Sequence, residues 1–501
     1  MNHPVSSKYR KSNGGRVVFA TLLFILFCSA SASAQDNEFK KKYDEFKEKA
    51  QQTYENFRLE VNKRYADFLR DAWKSYQEMP AIPLPPEPKV KPVVFKDDGN
   101  KRQDKQLPID TVITIPGEKT EPKPIGPVPE IENSNERTLS FSFYGAPCKV
   151  RYPKEAFHLN SLDGESLADT WMQLVDDKYN NTLRDCEAIR LKLAICDWAY
   201  MELTQAAAKA CCQNANDAAM LAGFLLCQSG YQVRFGTVDN ELLLLVNCDN
   251  NIIERNYYNI NGKRFYVVNS KRDGRIKISN MDEESNIPLS MEVNTDQLFP
   301  SGTDKMRTLK SETAPEVTAT IHCNTNLVDF FNTYPRSIIN GDFTTLWPFY
   351  ANTPLSETVK KDLYPALRQH IEGKSQLQAV SVLLDFVQTS LVYKHDEEVW
   401  GYDRPFFPDE TVSYPYCDCE DRAILLSRLV RDLLDMDVVL IFHPGHLYTG
   451  IRFDEDVKGD YIMCNGQRYV ICDPTYIYAP VGATMPGMDN SKAVAIVIKK
   501  N

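Results

Sequence analysis

The chain has 501 residues, more than one hydrophobic core serves and enough for two or three domains. Its formal net charge is −10, which argues against nucleic acid as the main partner and for a soluble acidic protein.

The N-terminus carries an address. Lys8, Arg10, Lys11 and Arg16 are a basic start, VVFATLLFILF (17–27) is a short apolar run, and Ala32 and Ala34 form an A-x-A pattern. Residues 1–34 therefore read as a secretory signal peptide, outside the fold. Lipidation at Cys28 is the alternative, and Phe27 is bulky for the position before a lipidated cysteine. No later segment is long and apolar enough to span a bilayer. Cleavage removes four basic residues and no acidic ones, so the charge moves to −14, and 12 of the 13 cysteines remain. The expectation is export to the periplasm or surface of a bacterium, where some thiols would pair. Their spacing does not say which.

In residues 35–79 the apolar positions Tyr43, Phe46 and Ala50 recur as Tyr54, Phe57, Val61 and as Tyr65, Phe68, Ala72. Eleven residues over three turns is close to the period of a straight α-helix, so one helix about 60 Å long is expected. Its stripe must pack on its own domain or on a partner, self-association as a coiled coil included. Residues 80–136 are proline-rich (AIPLPPEPKVKPVV, EPKPIGPVPE) and read as an extended linker.

Residues 137–305 and 306–501 repeat one plan, helices followed by strands, which makes each an α+β domain. In the first, LRDCEAIRLKLAICDWAYMELTQAAAKA (183–210) has helical periodicity, NDAAMLAGFLLCQSG (216–230) is a helix ended by Gly230, and YQVRFGTV, ELLLLVN and KRFYVVN are strands. In the second, 374–393 and 419–435 are helices, and DVVLIF, HLYTGIRF, DYIMC and QRYVICD are strands. Asp217 and Asp421 lie in similar helices and Gly262 and Gly466 in similar turns, both pairs 204 residues apart. A diverged tandem duplication accounts for the shared offset.

The chemistry concentrates in YPYCDCEDRAILLSRLVRDLL (414–434). A cysteine nucleophile needs a stabilised thiolate, a base, and a group that orients the base. Cys419 begins the helical run, where free N–H groups and the helix dipole favour thiolate and would help form an oxyanion hole. His446 opens a strand and Asp473 ends one at Pro474, which gives triad logic. Other readings stay open at this point. Cys417 and Cys419 with His443 and His446 would make a zinc set of unusually tight spacing, Cys417, Cys419, Cys464 and Cys472 would make disulfides, and Asp473 would merely cap its turn.

PDETVSYPYCDCEDRAILLSRLVRDLL, GHLYTGIRF and YVICDPTY, taken together, resemble the transglutaminase-like superfamily, including its bacterial protease-like members. That family carries Gly-Asp-Cys-x-Asp-x-Ala opening a helix, a histidine at a strand start, and Asp-Pro-Thr. The resemblance spans residues 340–480 and implies that Cys419 is the nucleophile, His446 the base and Asp473 the orienting acid. Asp418 and Asp421 flank the cysteine as in the family. Cys417, and Leu447-Tyr448 after the histidine, depart from its pattern. The implied architecture is two tandem transglutaminase-like (papain-like) domains. In the first, Ala215, Glu241 or Leu242, and Asn269 stand where the second has Cys419, His446 and Asp473, so that copy has lost the triad. A long segment before Cys419 would cover a cleft, with Trp400, Tyr414 and Tyr416 as wall residues.

The expected activity is attack of the Cys419 thiolate on an amide, with an acyl-enzyme resolved by water or by an amine. Cleavage of a peptide, with cell-wall peptide among the candidates, is favoured over cross-linking. No cofactor or metal is implied, and no calcium-loop motif is visible. The alternative is a silent envelope binding or scaffold protein on the same fold.

Overall fold

A computed structural model describes residues 36–71, 73–83, 90–97, 103–114, 128–132, 135–272, 274–279, 287–303 and 305–499. The expected signal peptide and Cys28 lie outside the described residues. Two compact units divide the chain, residues 1–61 and 62–501. No helix among the described residues is long and apolar enough to cross a membrane.

Helix α1 runs Asp36–Arg70. In the first unit Tyr43, Phe46 and Phe57 of its stripe are exposed. In the second unit Tyr65 is buried and stacks on Trp171, with ring centroids 3.9 Å apart, and Trp171 Nε1 donates to Asn62 Oδ1 at 3.0 Å. The helix stops nine residues short of the expected 79. Trp73 Nε1 donates to the Leu69 carbonyl at 2.9 Å, and the next residues form strand β1 (Lys74–Gln77). Pairing with a distant strand overrides local helical periodicity there.

Residues 80–136 correct a second expectation. Their described parts do not stand away from the domains. They supply β2 (Val93–Val94), β3 (Lys105–Gln106) and β4 (Thr111–Thr114). A sheet edge offers a row of unpaired N–H and C=O groups, and an extended chain with β-branched residues such as TVIT fits it.

The first half opens with hairpin β5 (Glu136–Phe143) and β6 (Ala146–Pro153). Helices α2 (Gly164–Leu174), α3 (Asn180–Leu193), α4 (Asp197–Cys211) and α5 (Ala215–Gln228) follow. The run read as helical over 183–210 is two helices, parted at Ala194 in the left-handed region (φ 49°). Asp197 fixes the restart, because its buried carboxylate accepts from Tyr231 Oη at 2.7 Å and Arg190 Nη2 at 2.9 Å. The strands are β7 (Val233–Val238), β8 (Glu241–Asn247), β9 (Asn251–Ile252), β10 (Tyr258–Ile260), β11 (Lys263–Val267) and β12 (Arg275–Ile278).

The second half opens the same way, with hairpin β13 (Lys305–Lys310) and β14 (Thr318–Cys323). It continues through α6 (Thr325–Thr333), β15 (Ser337–Ile338), α7 (Leu346–Asn352), α8 (Glu357–Ile371), α9 (Gln376–Ser390), β16 (Val392–Tyr393), α10 (Asp396–Val399), α11 (Pro408–Ser413), β17 (Tyr416–Cys417) and α12 (Cys419–Leu434). It ends with β18 (Val438–His443), β19 (His446–Ile451), β20 (Asp460–Cys464), β21 (Gln467–Cys472), β22 (Tyr476–Ile477) and β23 (Val494–Val497).

Five strands run in one order in the two main sheets, and the edges differ, since β1 is antiparallel to β12, β4 is parallel to β23 and β3 has no counterpart. The first sheet is β1-β12-β7-β8-β11-β10 and the second β4-β23-β18-β19-β21-β20-β3. In each, a buried helix (α5, α12) leads into the central hairpin and packs on its second strand. Alternation decides which side chains meet that helix. Leu242, Leu244 and Val246 of β8 join the core with α5, whereas Leu243 and Leu245 pack with Tyr258, Phe265 and Ile276 on the other face. In β19, Leu447 and Ile451 join the core with α12, and Tyr448 packs with Ile441 and Ile471 opposite.

The described parts of residues 80–136 are strapped to the second half, two strands to its main sheet and one to β22. β4 pairs in parallel with β23, β3 with β20, and β2 with β22. β4 is an edge strand, so every second amide of residues 111–114, those directed at β23, is expected to exchange with deuterium orders of magnitude more slowly than a free chain. Exchange at free-chain rates would contradict the strapping.

Candidate functional site

Helix α12 begins at Cys419 because its start is capped from within. Asp418 is the N-cap, and Asp421, at the third helical position, reaches back to its amide. Asp421 Oδ2 accepts from the Asp418 amide at 3.1 Å, and its Oδ1 accepts from the Phe406 amide at 2.8 Å. One fully buried carboxylate thus fixes both the cysteine turn and the preceding segment. In the first half Asp217 likewise holds the preceding segment, accepting from the Leu159 amide at 2.9 Å, while the N-cap Asn214 exchanges side-chain and backbone bonds with it.

His446 and Asp473 are brought together. Imidazole Nε2 lies 2.9 Å from Asp473 Oδ2, with both side chains almost fully buried. Against an ionised carboxylate, Nε2 carries the proton and donates, which leaves Nδ1 as the basic atom. Nδ1 is buried and has no hydrogen-bond partner. The second Asp473 oxygen accepts from the Thr475 amide at 2.8 Å and the Tyr476 amide at 3.3 Å, so the residue both caps its turn and orients the histidine. The imidazole stacks on Tyr448 at 5.4 Å.

The Cys419 thiol is held elsewhere. Its Sγ donates to Glu420 Oε2 at 3.1 Å, and no hydrogen bond joins it to His446 Nδ1. Cys419 and His446 are each 2% exposed, so reagents reach them only when the surroundings open. The acidic side chains nearby cluster. Oxygens of Asp396, Asp403 and Glu420 lie within 4.8 Å of one another, as do those of Asp396, Asp418 and Asp421.

Two residues that sequence reasoning passed over tie the site together. Arg422, fully buried, donates from Nη1 to the Gln388 carbonyl at 3.1 Å and the Pro474 carbonyl at 3.3 Å, and from Nη2 to the Leu391 carbonyl at 2.6 Å. Gln388 Nε2 donates to the carbonyls of Asp473, Tyr476 and Ala479 at 2.9–3.0 Å. The first turn of α12 is thereby joined to the turn that carries Asp473. An arginine one residue after Asp421 on a core-facing turn was the available signal.

The expected wall residues hold their own segment together. Trp400 meets Tyr414 edge-on at 5.1 Å, and the Arg404 guanidinium lies 4.5 Å over its ring. Tyr416 carries the Lys394 ammonium 3.9 Å over its ring. Among the described residues, no group able to share an ion contains Cys417, His443 or His446, so the zinc set is not assembled. Cys417, Cys464 and Cys472 are buried thiols, not disulfides.

The segment before Cys419 is anchored by buried acids. Glu410 pairs with Arg404 and accepts from the Phe407 amide at 3.0 Å, and Asp409 accepts from the Ser356 amide at 2.8 Å. Burial pushes Asp409 up to about 6 and Glu410 up to about 7. Groups whose pKa rises on folding favour the fold fully below their unfolded value, and that contribution is lost as pH climbs through the folded value. Stability is therefore expected to fall from about pH 4.5 to about pH 7, and Glu410→Gln should flatten this loss in urea melts. A parallel pH profile for the variant would contradict the assignment.

No protein-family model matches the chain, and no curated protein sequence matches it.

Proposed function

We propose that the second half is an exported thiol enzyme acting on amide bonds, built as a transglutaminase-like domain, with a degenerate copy of the same domain before it. The observation that carries this reading is the buried His446–Asp473 pair with Nδ1 unpartnered, on a strand packed against the helix that Cys419 opens. In the reaction, the Cys419 thiol leaves Glu420 and passes its proton to Nδ1. The thiolate attacks the amide carbonyl, and the N–H groups at the start of α12 stabilise the oxyanion. The imidazolium, steadied by Asp473, protonates the leaving amine. Water, deprotonated by His446, then resolves the acyl-enzyme to a carboxylate, which makes the protein a peptidase or amidase. Resolution by an amine would make it a transglutaminase. Residues 396–403, whose acids crowd Glu420, must move to admit a substrate, and a peptide or cell-wall peptide is the class proposed.

The Sγ–Glu420 contact favours a second reading, a silent binding or scaffold protein. Incubation with peptide and muropeptide pools, followed by intact-mass detection of an acyl adduct on Cys419, separates them. An adduct that forms in the native chain and is absent in His446→Ala supports the enzyme. No adduct with any pool supports the scaffold.

A further inference from the structure

The first half contains a cavity of about 260 Å³ between the end of α4, the start of α5 and β8. The second half shows why it is there. The two helix starts correspond, Ala215 to Cys419, and the two capping aspartates correspond, Asp217 to Asp421. The next residue is Ala218 in the first half and Arg422 in the second, and one turn on Ala222 stands opposite Leu426. Ala218 and Ala222 both line the cavity. The space is thus what remains when a buried arginine and a leucine become alanines.

The surroundings of Arg422 also have counterparts. Its guanidinium is held by carbonyls of Gln388, Leu391 and Pro474, at the end of α9 and in the turn after β21. Leu391 is the C-cap of α9 and Cys212 the C-cap of α4, both extended. Counting back three residues pairs Gln388 with Lys209. Lys209 and Cys212 line the cavity, as does Asn269 opposite Asp473, whereas Ser270, the counterpart of Pro474, lies outside the lining. The last carbonyls of a helix have no donor within it, and the negative end of α4 favours a cation; Arg137 Nη2 already donates to the Cys211 carbonyl at 3.5 Å, and Lys209 lies in the same last turn. Glu241 stands at the wall, its carboxylate already paired with Arg272 Nε at 2.7 Å. The volume falls below the ~300–1,000 Å³ of whole small-molecule pockets, a size for one long side chain and not for a cofactor.

We infer that this cavity is a guanidinium site, which accepts an arginine side chain of a peptide or protein partner in the place that Arg422 occupies in the second half. The inference rests on the correspondence of the two halves and not on chemistry at Cys419. It gives the copy without a triad a task, which is to hold an arginine-bearing chain.

The test uses the full mature chain carrying Cys419→Ala, so that turnover plays no part. The probes are acetyl-Gly-Arg-Gly-amide and the same peptide with citrulline or norleucine for arginine, followed by calorimetry and by alkylation of the half-buried Cys212. The arginine peptide is expected to bind at least about tenfold more tightly than either analogue and to slow Cys212 labelling. Ala218→Arg, which supplies the guanidinium from within, should keep or raise the melting temperature and abolish binding. Ala222→Leu, a milder filling, should weaken binding in a folded protein. Equal affinity for the citrulline peptide, or undiminished arginine-peptide binding in folded Ala218→Arg or Ala222→Leu protein, would overturn the inference.

Discussion

Cys419→Ala is expected to lower amide turnover by about 10,000-fold or more, because loss of a triad nucleophile removes the covalent route entirely. The reasoning starts from position. Cys419 is the first residue of a 16-residue helix whose start is fixed by Asp418 and Asp421, so its own N–H and the helix dipole act on whatever forms at Sγ. Asp473→Asn should cost less, since the carboxamide keeps the turn bonds to Thr475 and Tyr476 while leaving His446 without a carboxylate to steady its charged form. Activity would be read as product release from whichever peptide gives the Cys419 adduct. Residual activity of Cys419→Ala within tenfold of the native chain would contradict the assignment. Glu420→Gln isolates the contact particular to this site. The thiol then faces a neutral amide in place of a carboxylate, so thiolate forms more readily and small-reagent labelling should speed up.

The second large effect is on stability. Arg422→Met should destabilise the protein by about 3–5 kcal/mol, the range for breaking a buried charged network. Methionine replaces the stem but none of the donors, leaving the carbonyls of Gln388, Leu391 and Pro474 without the guanidinium bonds they now accept. Arg422→Lys should recover part of this, because an ammonium is a compact group and cannot span three carbonyls in one plane. Urea unfolding would measure both. A shift below about 1 kcal/mol for the methionine variant would mean that the carbonyls find other donors. The contrast with Ala218→Arg is informative, since one substitution removes a guanidinium from its nest and the other places one in the corresponding space.

Much of this was legible in the sequence because it is local. The strands ELLLLVN, HLYTGIRF and YVICD announce themselves by apolar and β-branched runs, and α5 and α12 by caps and periodicity. The offset of 204 residues links segments that hold matching places in the middle of the two sheets. Partners across the chain were not legible. KSYQ forms β1 and not a last helical turn because Arg275–Ile278 lies beside it. The segment TVIT has a place only because β23 presents an edge. Ala194 breaks a periodic run because the helix restarts where Asp197 finds Arg190 and Tyr231. At the site, the approach of Asp473 to His446 was readable. The hold of Glu420 on the thiol was not, because adjacency in sequence does not say which way a carboxylate turns. The role of Arg422 depends on three carbonyls from two other elements.

One experiment decides between an active thiol and a relic. Iodoacetamide labelling of Cys419 would be followed by mass spectrometry from pH 5 to pH 9, in the mature protein and in His446→Ala. The triad predicts labelling that persists below about pH 7, under the free-thiol value of about 8.5, and that is lost in His446→Ala. Labelling that appears only near the free-thiol value, with the same profile in both proteins, would contradict an activated thiolate–imidazole pair and leave the second half a binding domain.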